Sequence, residues 1–236
     1  MLARVYLPPF ITALFGGLFI ALGVLTFGNA SLFDGLFIAV LLFAGIVCRK
    51  NINIVSLLVI IVIDRLLQEL AWVGLSSNDL LKELLYILTL VVLIVVRYDP
   101  LVKIIFPIIM LVIGAEIYWY VTDYPAPQLY WYITLLLSCL VTRYMIFSRL
   151  DWVEKFFPNK SQSINLDWIF YKLIGTTAII LSAMLLEYLV RHVFNFAQVT
   201  VIYYSYPYLV HAIATFSVWA TFNESYKQLQ LRLIKA

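Results

Sequence analysis

The 236-residue sequence predicts an all-α bundle of about eight transmembrane helices, and three observations carry that expectation. Composition is the first: 64% of residues are hydrophobic and 12% charged, with 6 Trp, 16 Tyr and 16 Phe, against about 25% charged in soluble domains. Mean hydropathy is +0.98. The second is the recurrence of apolar runs near the ~20 residues that cross roughly 30 Å of hydrocarbon. They fall at 8–27, 32–48, 52–74, 79–96, 101–121, 129–147, 168–190 and 200–222. The third is the placement of Lys and Arg, 13 of 16 of which fall on one side of such a bundle.

Each run has its own character. The first carries Gly16, Gly17, Gly23 and Gly28, which thin one side and permit close helix contact. It is too long for the apolar core of a cleaved signal, so the sequence predicts that it is kept. The second is short. The third holds Asp64, Arg65, Gln68 and Glu69 inside Val, Ile, Leu and Ala, and no other run is so polar at its middle. The fourth opens with Asp79, Lys82 and Glu83. The fifth and eighth contain Pro107 and Pro207, the prolines placed to unwind a helix within the bilayer. Tyr and Trp clusters at 118–120, 130–132 and 203–208 read as an aromatic belt.

Between the sixth and seventh runs, Leu150, Trp152, Val153, Phe156 and Phe157 mix with Arg149, Asp151, Glu154 and Lys155. That mixture predicts a short interfacial cytoplasmic helix in the 148–167 loop. Pro158 ends it, and Asn165 or Asp167 is placed to cap the seventh helix.

With eight crossings, 13 of the 16 basic residues share the side of both termini: Arg4, Arg49, Lys50, Arg97, Lys103, Arg143, Arg149, Lys155, Lys160, Lys172, Lys227, Arg232 and Lys235. The positive-inside rule then makes both termini cytoplasmic. Asp34, Glu69, Asp79, Glu83, Glu116, Asp123 and Glu187 fall in the opposite half, so the net +3 is a polarised charge and not a nucleic-acid signal. Cys48 and Cys139 have no redox or metal spacing and read as small core residues. The sequence predicts one integral membrane domain over 1–236. A weak parallel four-plus-four repeat shows in Pro9 to Gly16 against Pro107 to Gly114, and in residues 66–70 against 185–189. Short loops and the absence of a cleaved signal favour a cytoplasmic (inner) membrane.

An ionisable group at bilayer depth costs about 2.5 to 3.5 kcal/mol on insertion scales, so such groups face protein or water and mark candidate sites. Ser56, Asp64 and Gln68 are spaced by multiples of four, with Arg65, Glu69 and Trp72 beside them on one side of the helix. Asp64 therefore invites a bridge to Tyr, Ser or His on another span, and His211 is at a compatible depth. Glu69, Glu116 and Glu187 lie at one level of runs 3, 5 and 7 and predict an outward acidic pocket, with Lys82, Glu83 and Arg191 at its rim. The alternative is an internal hydrogen-bonded network that fixes helix register.

Function follows from what the chain lacks. No protease, hydrolase or nucleotide motif occurs, and there are two histidines in all. The sequence therefore leans away from an enzyme and implies no cofactor or metal. It predicts an assembly, sensor or effector subunit that works through intramembrane and cytoplasmic-loop contacts. Its partners are the lipid bilayer and a membrane protein or further copies of itself. A proton- or cation-coupled permease is the alternative, and an intramembrane lipid-modifying enzyme the second.

Overall fold

In the computed structural model the backbone is described over residues 2–77, 79–125, 128–194, 196 and 198–235, without the side chains of 2–8, 77, 79 and 231–235. The side chains of Arg4, Asp79, Arg232 and Lys235, counted above for charge, lie outside the described residues. Eight helices form among the described residues and no strand does: α1 (Leu2–Thr26), α2 (Ala30–Cys48), α3 (Ile52–Ser77), α4 (Asp79–Val95), α5 (Val102–Val121), α6 (Tyr130–Phe156), α7 (Asn165–Val193) and α8 (Val201–Lys235). Five are long and apolar enough to cross a membrane: α1 over Pro9–Thr26, α2, α5, α6 and α7. Large apolar side chains such as Ile20, Val24, Ile46, Leu70 and Val121 stand exposed, as expected of a membrane protein.

The chain divides into two compact units. Unit 1 takes Met1–Leu58, Arg149–Phe170 and Tyr208–Ala236, and unit 2 takes Val59–Ser148 and Tyr171–Pro207. Each draws on both halves of the chain.

Unit 1 holds α1, α2, the start of α3, the end of α6, the start of α7 and most of α8. Local chemistry sets its turns. Gly28 supplies φ +76° after α1, the left-handed position where an L side chain would clash. Asn29 then caps α2 by accepting from the Leu32 N–H at 3.2 Å. One small core joins Phe19, Val40 and Val218; another joins Ala44, Val47, Cys48, Ile54 and Leu58.

One expectation for this unit changes. The segment after Phe147 is not a separate interfacial helix, because nothing between Ile146 and Phe156 breaks the pattern and α6 runs on to Phe156. Pro158 stops it, and Asn159 turns the chain at φ 64°. Asp167, third in α7, accepts from the Ile164 N–H at 3.0 Å, the reach-back half of a capping box.

Unit 2 contains α4, α5 and the larger parts of α3, α6 and α7, around a core that includes Leu93, Ile109, Trp119, Ile133, Leu140, Leu181 and Leu185. Neither Pro107 nor Pro207 unwinds its helix. Both lie within the first two turns of α5 and α8, which remain helical through them.

Glycine decides one helix contact in unit 1. A Cβ on Gly23 of α1 would fall 2.7 Å from Thr215 Cγ2 and 3.0 Å from Thr215 Oγ1 on α8. The short, branched Thr side chain cannot swing aside. Overpacking costs about 1 to 3 kcal/mol, more than the ~1 kcal/mol that Ala gains in helix propensity. Gly23→Ala is therefore expected to lower the thermal midpoint of the detergent-solubilised protein, while Gly35→Ala, with nothing within 4 Å, leaves it unchanged or higher. An unchanged midpoint for Gly23→Ala would refute this packing.

Candidate functional site

The polar row of α3 divides in two. Asp64 and Gln68 turn toward α6. Thr142 Oγ1 donates to Asp64 Oδ1 at 2.8 Å, Ser138 Oγ donates to the same oxygen, and Gln68 Nε2 donates to Oδ2 at 3.0 Å. Gln68 Nε2 also lies 3.1 Å from Ser138 Oγ. Adjacent helical residues point about 100° apart, so Arg65 and Glu69 emerge on the outside. They pair at 3.1 Å with side chains 44% and 58% exposed, flanked by exposed Val62, Leu66, Leu70 and Val73. A charged pair thus lies in the middle of an apolar surface.

The other acidic residues each have their own partner. Glu116 on α5 accepts from Tyr86 Oη of α4 at 2.8 Å. Glu187 on α7 is buried and accepts from the N–H groups of Ile202 and Tyr203 at 2.7 and 3.0 Å. It thereby caps α8 from another helix, placing a negative group where the unpaired amides and the helix dipole favour one. Among the described residues, no group of three or more His, Cys, Asp and Glu is arranged to hold a metal ion.

The basic rim is equally separate. Lys82 Nζ stands 5.0 Å from the centre of the Tyr130 ring, Glu83 is exposed, and the Arg191 guanidinium lies 5.8 and 5.7 Å from the Tyr188 and Tyr203 rings. His211 belongs to unit 1. Its Nε2 is 2.8 Å from the Gly23 carbonyl oxygen and 3.5 Å from Thr26 Oγ1, so it satisfies a carbonyl in the last turn of α1. It also lines a groove of about 580 Å³ between α1 and α8 with Phe19, Gly23, Phe27, Thr215 and Trp219. Thr215 Oγ1 and Trp219 Nε1 are buried there without a hydrogen-bond partner among the described residues, and the groove presents hydrocarbon.

Sequence reasoning missed two arginine clamps on α6. Arg143 forms a two-pronged pair with Asp99, Nε to Oδ2 at 2.8 Å and Nη2 to Oδ1 at 3.0 Å. Its Nη1 donates to the Tyr171 carbonyl at 2.6 Å, and the guanidinium stacks 3.7 Å from the Tyr171 ring centre. Gly175 gives it room, since a Cβ there would collide with Nη1. Asp99 also accepts from the Leu101 N–H at 2.9 Å, fixing the α4 to α5 turn.

Arg149, 1% exposed as a side chain, pairs with Asp167. Its remaining donors reach the Asn53 carbonyl at 3.2 Å, Ser56 Oγ at 3.1 Å and the Gln162 carbonyl at 3.0 Å. Asn53 completes the knot by donating to the Lys160 carbonyl and accepting from the Gln162 N–H, both at 2.9 Å. The α6 to α7 connection is thereby tied to the start of α3. The available signal was Arg143 itself: it interrupts the apolar stretch Leu140 to Phe147 as Asp64 interrupts α3, and counting it toward membrane orientation hid that likeness.

No family model matches the chain, and neither a curated protein nor a solved structure resembles it significantly.

Removing one member of a buried ion pair strands the other, at about 3 to 5 kcal/mol. Arg149→Met should therefore destabilise the solubilised protein by about that amount, and Arg149→Met with Asp167→Asn should recover part of it, as read by denaturant unfolding. Additive losses in the double variant would contradict the clamp.

Proposed function

We propose that this chain is a non-enzymatic, multi-pass subunit of a membrane assembly, and that α3 is the helix through which it contacts other membrane protein. All eight helices cross the bilayer in this reading, with both termini on the basic, cytoplasmic side of a cell inner membrane. The observation that carries it is the Arg65–Glu69 pair, half-exposed on an apolar face. Hydrocarbon is a costly neighbour for such a pair, and a protein partner removes that contact.

The disposition of the other polar groups supports the same reading. A permease needs acidic groups that meet at an accessible site, whereas Glu69, Glu116 and Glu187 each engage a different neighbour. Asp64 accepts from Ser138, Thr142 and Gln68, which suits a group that fixes helix rotation. The last turns of α6 and the connection after it offer a second contact surface, where Trp152, Phe156 and Phe157 are exposed beside Lys155 and Lys160.

Leu70→Arg places an unpaired charge on the exposed face of α3 without touching the core. In mild detergent the wild-type protein should run as an assembly heavier than one 27.2 kDa chain. The variant should fall to a monodisperse single chain with unchanged helical content by circular dichroism, since position 70 is exposed and outside the core. A wild-type protein that is already a single chain, or a variant that keeps the assembly, would overturn the reading.

A further inference from the structure

We infer that the end of unit 1 formed by the α2 to α3 turn and the connection after α6 binds the headgroup of an anionic phospholipid. The inference names the occupant of the second contact surface and rests on the reading that places this end at the cytoplasmic headgroups. Two segments far apart in sequence meet here. Asn53, at the start of α3, donates to the Lys160 carbonyl and accepts from the Gln162 N–H, both at 2.9 Å. Arg49 and Lys50 form the turn just before it, and Lys160 belongs to the connection, so one side-chain amide brings both sets of basic residues to the same end. Lys155 adds a fourth in the last turn of α6.

All four are exposed, and none forms an ion pair among the described residues. Asp167 is neutralised by Arg149, while Asp151 and Glu154 offset two of the four charges, so positive charge remains in excess. Depth supplies the second half of the match. The 27 residues of α6 rise about 40 Å, against about 30 Å of hydrocarbon, and its last turns therefore reach the headgroups in this reading. Trp152 and Phe156 stand one helical turn apart on a face that also carries Lys155, and with Phe157 they are exposed. Such rings favour the boundary between headgroups and acyl chains, which sets the neighbouring cations at phosphate depth. A free phosphate would answer the charges and not the rings; a zwitterionic lipid would answer the rings and not the charges. An anionic phospholipid answers both, its phosphate taken by the guanidinium of Arg49 and the ammonium groups.

The test is native mass spectrometry of the full-length protein in mild detergent, titrated with dioleoyl phosphatidylglycerol or with dioleoyl phosphatidylcholine. The wild-type protein should prefer phosphatidylglycerol. Lys50→Gln with Lys160→Gln should weaken that binding about 25-fold, at about fivefold for each basic residue near an anionic group. Lys50→Arg with Lys160→Arg should keep it, which separates charge from a damaged fold. Arg97→Gln with Lys103→Gln, an equal loss of charge at exposed positions of unit 2, should also keep it. A wild-type protein without the preference would overturn the lipid and leave the surface to a protein partner. Equal losses in the unit 2 variant, loss in the Arg variant, or displacement of the lipid by glycerol phosphate at the same concentration would overturn it too. The placement is read separately: with Cys48 and Cys139, both buried and free, replaced by Ala, an impermeant maleimide should label Ser163→Cys only after lysis of the cells. Labelling of intact cells would overturn the cytoplasmic placement by itself, independently of the lipid measurements.

Discussion

The rotation of α3 about its own axis is fixed by Asp64, and the exposed surface of that helix follows from it. Ser138, Thr142 and Gln68 all donate to the Asp64 carboxylate. Turning α3 by one residue would break the two bonds from α6, those of Ser138 and Thr142, and bring Arg65 toward them in place of Asp64. Leaving buried acceptors or donors unmade costs about 1 to 3 kcal/mol each. One carboxylate therefore holds a charged pair outward, and the apolar residues in line with that pair become a surface.

The same accounting governs the other polar groups. Apolar surroundings offer no water to unpaired amides and carbonyls, so a chain of this composition satisfies them from within. Glu187 caps α8, His211 meets a carbonyl at the end of α1, and Asp167 serves both the start of α7 and Arg149. The arginines of α6 do more than neutralise an acid. Arg143 joins the α4 to α5 turn to α7 within unit 2, and Arg149 joins the start of α3 to the α6 to α7 connection within unit 1. Planar guanidinium groups with five donors suit such junctions, and a lysine at either place would leave most of the acceptors unmet.

Helix identity was legible because length and apolar content decide it, and the eight apolar runs correspond to α1 to α8. Helix ends were less so: α6 extends nine residues beyond its apolar run because nothing breaks it before Pro158. The polarity of α3 stood out in the sequence, but the division between Asp64 and Gln68 on one side and Arg65 and Glu69 on the other did not. That division depends on which neighbour supplies Ser138 and Thr142, a tertiary fact. The clamps stayed hidden for a related reason, since Asp99 in an Asp-Pro turn and Asp167 near a helix start each have a sufficient local role. Depth along a helix placed Glu69, Glu116 and Glu187 at one level, yet depth says nothing of direction around the axis, and each found a different partner.

The outward orientation of Arg65 and Glu69 is the central claim, and a nitroxide scan of α3 reads it most directly. Single cysteines from 59 to 73, in a background without Cys48 and Cys139, would be spin-labelled and placed at one chain per lipid nanodisc to exclude partners. The account predicts label mobility with a helical period, highest at 62, 66, 69, 70 and 73 and lowest at 60, 61, 64 and 68. Maxima at 64 and 68 with immobile labels at 66 and 70 would contradict it, because the charged pair would then face inward.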